Sequence, residues 1–140
     1  MNATNPNQSV VPAIGRVLMA AIFLLSGIGK VFAPAATIGY IQSSGLPFAT
    51  LGFAIAVAVE LGGGTMLALG IKTRWVAAAL ALFSIATGLA FHGAIADQNQ
   101  MIHLLKNIAM AGGLLQVVAF GAGAYSVDNA TARTLARQAA

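Results

Sequence analysis

The chain has 140 residues, enough for one domain, yet 59% of them are hydrophobic and only 7% charged, against roughly 25% charged residues in soluble domains. So small a globule has too much surface for its volume to hide that much apolar side chain, which disfavours a water-soluble fold and makes lipid the second solvent. The net charge of +4 comes from seven Lys and Arg scattered without a basic run, which gives no support for nucleic-acid binding, and the absence of cysteine excludes disulfides, thiolate nucleophiles, cysteine-ligated iron–sulfur clusters and c-type haem attachment.

Residues 1–11 are polar and rich in Asn, Gln and Ser, and are expected to lie disordered in water. No Lys or Arg precedes Arg16, and the first apolar run ends at Phe32-Ala33-Pro34 rather than at a small-residue cleavage site. It therefore reads as a retained membrane helix and not a signal peptide. This first helix is expected over 12–33, with Pro12 in its first turn, where no intrahelical bond is lost. Arg16 and Lys30 are fourteen residues apart, which at about 100° per residue returns to nearly the same face. Ser26 and Gly27 fall close to that face, which is the profile of a side turned toward other helices. The alternative is that both long side chains snorkel to the head groups. Residues 34–47 form a connector with turn chemistry, in which 35–42 suit a short helix on the membrane surface with Tyr40 at interface depth.

The second helix is expected over 47–71, a run long enough to cross the roughly 30 Å hydrocarbon core at about 1.5 Å per residue. Of the three acids in the chain, Glu60 alone lies inside an apolar run. A carboxylate there costs at least about 2.5 kcal/mol unless it meets a partner or water. Ala54, Ala58 and Gly62 recur every four positions and suggest a stripe for close backbone approach, while Gly62-Gly63-Gly64 suits a kink beside the carboxylate. After the basic turn Lys72-Thr73-Arg74, Trp75 is placed as an interfacial anchor. The third helix spans 75–93, with Ser84, Gly88 and His92 stacked at intervals of four. A polar loop, 94–100, contains Asp97. The fourth helix spans 101–120, with His103 and Lys106 one turn apart and Asn107 beside them, and Gly121-Ala122-Gly123 stops it. The polar tail, 124–140, suits either a short surface helix or no fixed structure. The fold expected is all-α: a four-transmembrane-helix bundle over 12–123.

Four crossings put Arg16, Lys72, Arg74, Arg133 and Arg137 at one face of the membrane and Lys30 and Lys106 at the other, so the positive-inside rule makes both termini cytoplasmic. Counting depth along the helices, Arg16 reaches toward Glu60 from below, whereas Lys30, His92, His103 and Lys106 lie in the outer third, too high for contact without strong tilt. Glu60–Arg16 is the preferred pair and Glu60–Lys106 the second. Such a pair either fixes helix register or serves function. The outer layer joins two fixed cations to two titratable rings, with only Asp97 nearby to balance them, and would favour an anion or a polarised carbonyl. The histidines are equally accounted for as interfacial residues bonded to loop backbone. Nothing beyond their pairing supports haem ligation, and no metal site is expected.

Taken in order, these motifs resemble the DoxX family of small four-helix membrane proteins. Gly15-Arg16 with Phe23-Leu24-Leu25-Ser26-Gly27-Ile28-Gly29-Lys30 is similar to its first helix, and Pro34, Tyr40 and Gly45-Leu46-Pro47 to its loop. Glu60-Leu61-Gly62-Gly63-Gly64, Leu69-Gly70 and Thr73-Arg74 resemble its second helix and turn, and Phe91-His92 the end of its third. Leu105-Lys106-Asn107, Gly121-Ala122-Gly123 and Ser126-Val127-Asp128 resemble its fourth helix and C-terminal signature. The resemblance implies a multi-pass protein of the bacterial inner membrane. It also implies a place as a redox-associated subunit, since the family name goes back to a membrane subunit of a thiosulfate:quinone oxidoreductase. The expectation is a subunit that places a quinone or small anionic substrate for a soluble oxidoreductase partner, using a polar core of Arg16, Lys30, Glu60, His92, His103, Lys106 and Asn107. The alternative is a non-enzymatic module, a homo-oligomer or a small-solute pathway, built round a buried ion pair. The chain has no self-contained catalytic motif.

Overall fold

Apolar runs of membrane-spanning length become helices because lipid offers backbone groups no partners, so each segment must satisfy its own amides. The protein, described here by a computed structural model, is all-helical over the described residues 6–139, with no strand among them. The order is α1 (Pro6–Phe32), α2 (Pro34–Ser43), α3 (Ala49–Val57), a π-helical turn (Ala58–Gly63), α4 (Gly64–Leu69), α5 (Thr73–Phe91), α6 (Gln98–Phe120) and α7 (Val127–Gln138). Four stretches are long and apolar enough to cross a membrane: Val10–Phe32, Ala49–Leu69, Thr73–Phe91 and Gln98–Phe120. The second span is thus α3, the π turn and α4 in series.

The helix boundaries shift from expectation by a few residues, most at the start of α1. The helix α1 begins at Pro6, so residues 6–11 are helical, while the disorder expected for 1–5 lies outside the described residues. Pro12 consequently sits inside the helix, where its missing N–H removes a single backbone bond close to the start of the apolar span. The short connector helix forms as Pro34–Ser43, opened by Pro34, and Tyr40 stacks on Phe91 with ring centroids 5.5 Å apart, tying the connector to the end of α5.

The helix α1 packs along the second span, α5 packs along α6, and the two pairs meet over a core of Ala20, Phe23, Leu67, Ala77, Leu80, Ala81, Ala111, Leu114 and Val117. The stripe Ala54–Ala58–Gly62 does not make the inward face: all three are exposed. The inward positions are Ala56, Glu60, Gly64 and Leu67, because the one carboxylate of the span must face the bundle and the residues a turn away on either side turn in with it. Where a kink was expected at Gly62-Gly63-Gly64, the span instead carries a π turn over Ala58–Gly63. A π turn holds an extra residue, which rotates the remainder of the span and brings Gly63 against Leu80 and Gly64 against Leu24. On α1, Gly27 allows the closest approach, since a Cβ there would lie 2.8 Å from Leu61 Cδ2 and 3.1 Å from Glu60 Cβ. The expected Ser84–Gly88 stripe is buried and seats Asn107, whose Cβ would lie 2.9 Å from a Cβ on Gly88.

Candidate functional site

Side chains on a helix lean toward its N-terminus. Because α1 and the second span run in opposite directions, Lys30 leans back toward mid-membrane while Glu60 leans up toward Lys30. They meet: Lys30 Nζ donates to Glu60 Oε2 at 2.8 Å and to Oε1 at 2.9 Å. Ser26, one turn below Lys30, completes the arrangement, accepting from Lys30 Nζ at 2.7 Å and donating to Glu60 Oε1 at 3.2 Å. Glu60 is buried and the Lys30 side chain is 24% exposed, so the pair sits where a single unpaired charge would be expensive. This corrects the pairing of Glu60 with Arg16 and its second choice, Lys106. Counting depth by Cα position omitted the reach of a lysine stem and the opposed lean of the two side chains.

The pair lies in the wall of a cavity of about 1010 Å³ that also takes in His92, His103, Lys106 and Asn107 among apolar residues such as Phe23, Ile41, Phe83 and Met110. The rings of His92 and His103 stack with centroids 4.9 Å apart and planes 24° from parallel. His92 Nδ1 lies 2.8 Å from the side-chain amide oxygen of Gln100, which ties the ring to the start of α6 and leaves its Nε2 edge uncommitted. Asn107 donates to the His103 carbonyl at 2.9 Å and so braces α6 behind that ring. Asp97 caps α6 by accepting from the Gln100 N–H at 2.9 Å and does not line the cavity. Within the cavity Lys30 and Glu60 cancel, and Lys106 has no carboxylate in contact among the described residues. The site is a mostly apolar chamber with one unbalanced cation and two imidazoles at one end. Six of the seven candidate residues are brought together there.

Arg16, the seventh, is at the opposite end and 1% exposed. Its Nη2 donates to the Tyr125 carbonyl at 2.6 Å and its Nη1 to the Leu67 carbonyl at 3.3 Å, while Nε has no protein partner. Gly70 makes room for it: the residue has φ +73°, and a Cβ there would collide with Arg16 Nη1. Beside it Asp128 grips the turn between the second and third spans. Its Oδ1 accepts from the Lys72 N–H at 2.7 Å, and its Oδ2 from the Thr73 N–H at 2.8 Å and hydroxyl at 2.7 Å, while the Asp128 N–H donates to the Gly70 carbonyl at 2.9 Å. Partial burial pushes the Asp128 carboxyl upward, but these Thr73 and Lys72 bonds and the nearby Arg16 charge outweigh it and hold the group below the usual carboxylate range. Reading α1 alone missed this latch. Its signals were an acid outside the spans and a glycine after Leu69, far apart in sequence.

Four spans, a lipid-facing exterior and polar groups turned inward define a multi-pass integral membrane protein. The sequence pattern of the DoxX family matches residues 11–93. The chain is 33% identical over 121 residues to inner membrane protein YqjF of Escherichia coli, covering 86% of this chain and 92% of that one. It is 30% identical over 127 residues to inner membrane protein YphA of the same organism, covering 86% and 90%. No solved structure matches it significantly. The chain belongs to the DoxX family and is an inner-membrane protein.

The Asp128 latch makes stability depend on acid. A carboxyl held below its unfolded value contributes stability that is complete above the unfolded value, near pH 3.9, and is lost as pH falls through the folded one. Thermal unfolding in detergent followed from pH 7 to about pH 3 should show wild type losing more stability than Asp128→Asn. The variant should already be weaker at pH 7, by about 1–3 kcal/mol for three hydrogen bonds to a charged acceptor. Parallel pH profiles would show that the latch contributes nothing in this range.

Proposed function

We propose that the cavity between the spans receives the head of a quinone or a small anionic substrate and presents it to a soluble oxidoreductase partner. The observation that carries this reading is the charge balance inside the cavity. Lys30 and Glu60 neutralise each other, while Lys106 and the His92–His103 stack offer donors with no acid to meet them. A quinone has an apolar ring and tail with two carbonyl oxygens, and imidazole and ammonium N–H groups are suited to polarise those oxygens. The Lys30–Glu60 pair then serves as a fixed, neutral wall, and the π turn shapes that wall next to the ligand. The chain contributes placement and charge, and the partner contributes the electrons. A volume of about 1010 Å³ is at the upper end of ordinary ligand pockets and accommodates a ring with part of its tail.

The second reading, a structural or permeation module, draws on the same ion pair, which would lock α1 against the second span whatever the cavity holds. The two are separated by mild-detergent extraction from quinone-containing membranes, followed by solvent extraction of the purified protein. Wild type should retain close to one quinone per chain, and Lys106→Met with His103→Ala should reduce this at least about tenfold while leaving the fold intact, the effect of losing roughly 1.4 kcal/mol of polar contact. A wild-type protein that carries no quinone, with any homo-oligomer unchanged in both proteins, would favour the module.

Orientation is assigned from the cation count: Arg16, Lys72, Arg74, Arg133 and Arg137 lie at the end that holds the termini, and Lys30 and Lys106 at the other, so the termini are assigned to the cytoplasm. Reporter fusions at the C-terminus should be active only with a cytoplasmic reporter. Activity of a periplasmic reporter would reverse the assignment.

A further inference from the structure

At the end of the bundle away from the cavity, Asp128 takes up the amides of the turn between spans two and three but leaves the two cations of that turn unanswered. Lys72 and Arg74 line a cleft of about 580 Å³ with Trp75, Phe120 and the loop Gly121-Ala122-Gly123. The Arg74 guanidinium lies across this loop, such that a Cβ on Gly121 would stand 3.3 Å from Nε and 3.5 Å from Nη2. Among the described residues the one ion pair is Lys30–Glu60, and both oxygens of Asp128 are occupied by Lys72 N–H and by the amide and hydroxyl of Thr73. Counting Asp128 against the two cations, the cleft retains one net positive charge and an unused guanidinium fork.

Lys72 adds a second argument. Its backbone is left-handed, φ 45° and ψ 40°, a conformation unfavourable for a residue with a Cβ. Glycine or asparagine would make this turn with less strain, yet the position carries a lysine, exposed where it lines the cleft. The depth is also informative: Thr73 opens the third span and Phe120 closes the fourth, so the cleft lies at the membrane surface. Trp75 and Phe120 are 81% and 80% exposed there, as aromatic rings are at head-group level.

The geometry points to a binding site for the phosphate of an anionic phospholipid head group, held between Lys72 and Arg74. The guanidinium fork matches two phosphate oxygens, the lysine adds a point charge, and the two rings flank the glycerol and the first carbons of the acyl chains. Free phosphate shares the head chemistry but makes no use of the rings. This inference is independent of what the cavity binds.

The chain has one tryptophan, Trp75, and it lies in the cleft, so wild type carries its own probe. Full-length protein is reconstituted in phosphatidylcholine vesicles containing a minor fraction of either brominated phosphatidylglycerol or brominated phosphatidylcholine, and quenching of Trp75 is read. Quenching should be stronger with brominated phosphatidylglycerol. Lys72→Gln with Arg74→Gln should lower its relative association about 25-fold, from about fivefold per interfacial cation. Arg133→Gln with Arg137→Gln should leave it unchanged, and millimolar inorganic phosphate should not relieve the quenching. Equal quenching by the two lipids in wild type would overturn the proposal, whether or not the double variant folds. So would a preference that survives in the folded double variant, one that vanishes with the tail arginines, or full relief by phosphate, which would make the site one for a free anion.

Discussion

The constraint on which the rest depends is a carboxylate near the middle of a membrane span. Glu60 can lie there because Lys30 and Ser26 reach it from the neighbouring helix with three hydrogen bonds. Burying both ions costs several kcal/mol each, and the pair offsets this only with close geometry and its remaining polar atoms satisfied. That requirement sets the rotation of the second span, which turns Ala56, Gly64 and Leu67 inward and leaves Ala54, Ala58 and Gly62 facing outward. It also sets the distance between the first two spans, since Gly27 is the position on α1 that lets Leu61 and Glu60 come close.

The two ends of the bundle neutralise their cations by different means. At the termini end, Arg16 is buried against the carbonyls of Leu67 and Tyr125, with Asp128 close by, and the end is closed by the segment that carries these groups. At the other end Lys30 has a carboxylate, and Lys106 has none. The connector helix leaves a chamber between the spans there instead of filling it. The interior of one end is therefore a fastening built from backbone carbonyls and the Asp128 carboxylate, with Lys72 and Arg74 left at its surface, and the interior of the other is a space in which polar groups remain available.

Much of this was legible in the sequence. Hydropathy and length located all four spans within a few residues, because only helices satisfy the backbone in lipid. Helical periodicity put Arg16, Gly27 and Lys30 on one face and Ser84, Gly88 and His92 on another, and these faces do turn inward. The ion pair was not legible, because a ladder of Cα heights ignores the roughly 6 Å reach of a lysine stem and the lean of each side chain toward its own N-terminus. Small residues at intervals of four were misleading in the second span, where one acid outweighs any stripe of alanines. The Arg16–Asp128 region was missed because its parts come from α1, the turn after α4 and the start of α7, and no local pattern joins segments so far apart in sequence.

The most direct measurement of the central claim is a pair of double-mutant cycles on unfolding free energy in mixed micelles. The first combines Lys30→Met with Glu60→Gln, the second Arg16→Met with Glu60→Gln. The account predicts that each single change at the pair costs about 3 kcal/mol and that the first double change costs clearly less than the sum, whereas the second cycle is additive to within about 0.5 kcal/mol. Additivity between Lys30 and Glu60, or strong coupling between Arg16 and Glu60, would contradict it.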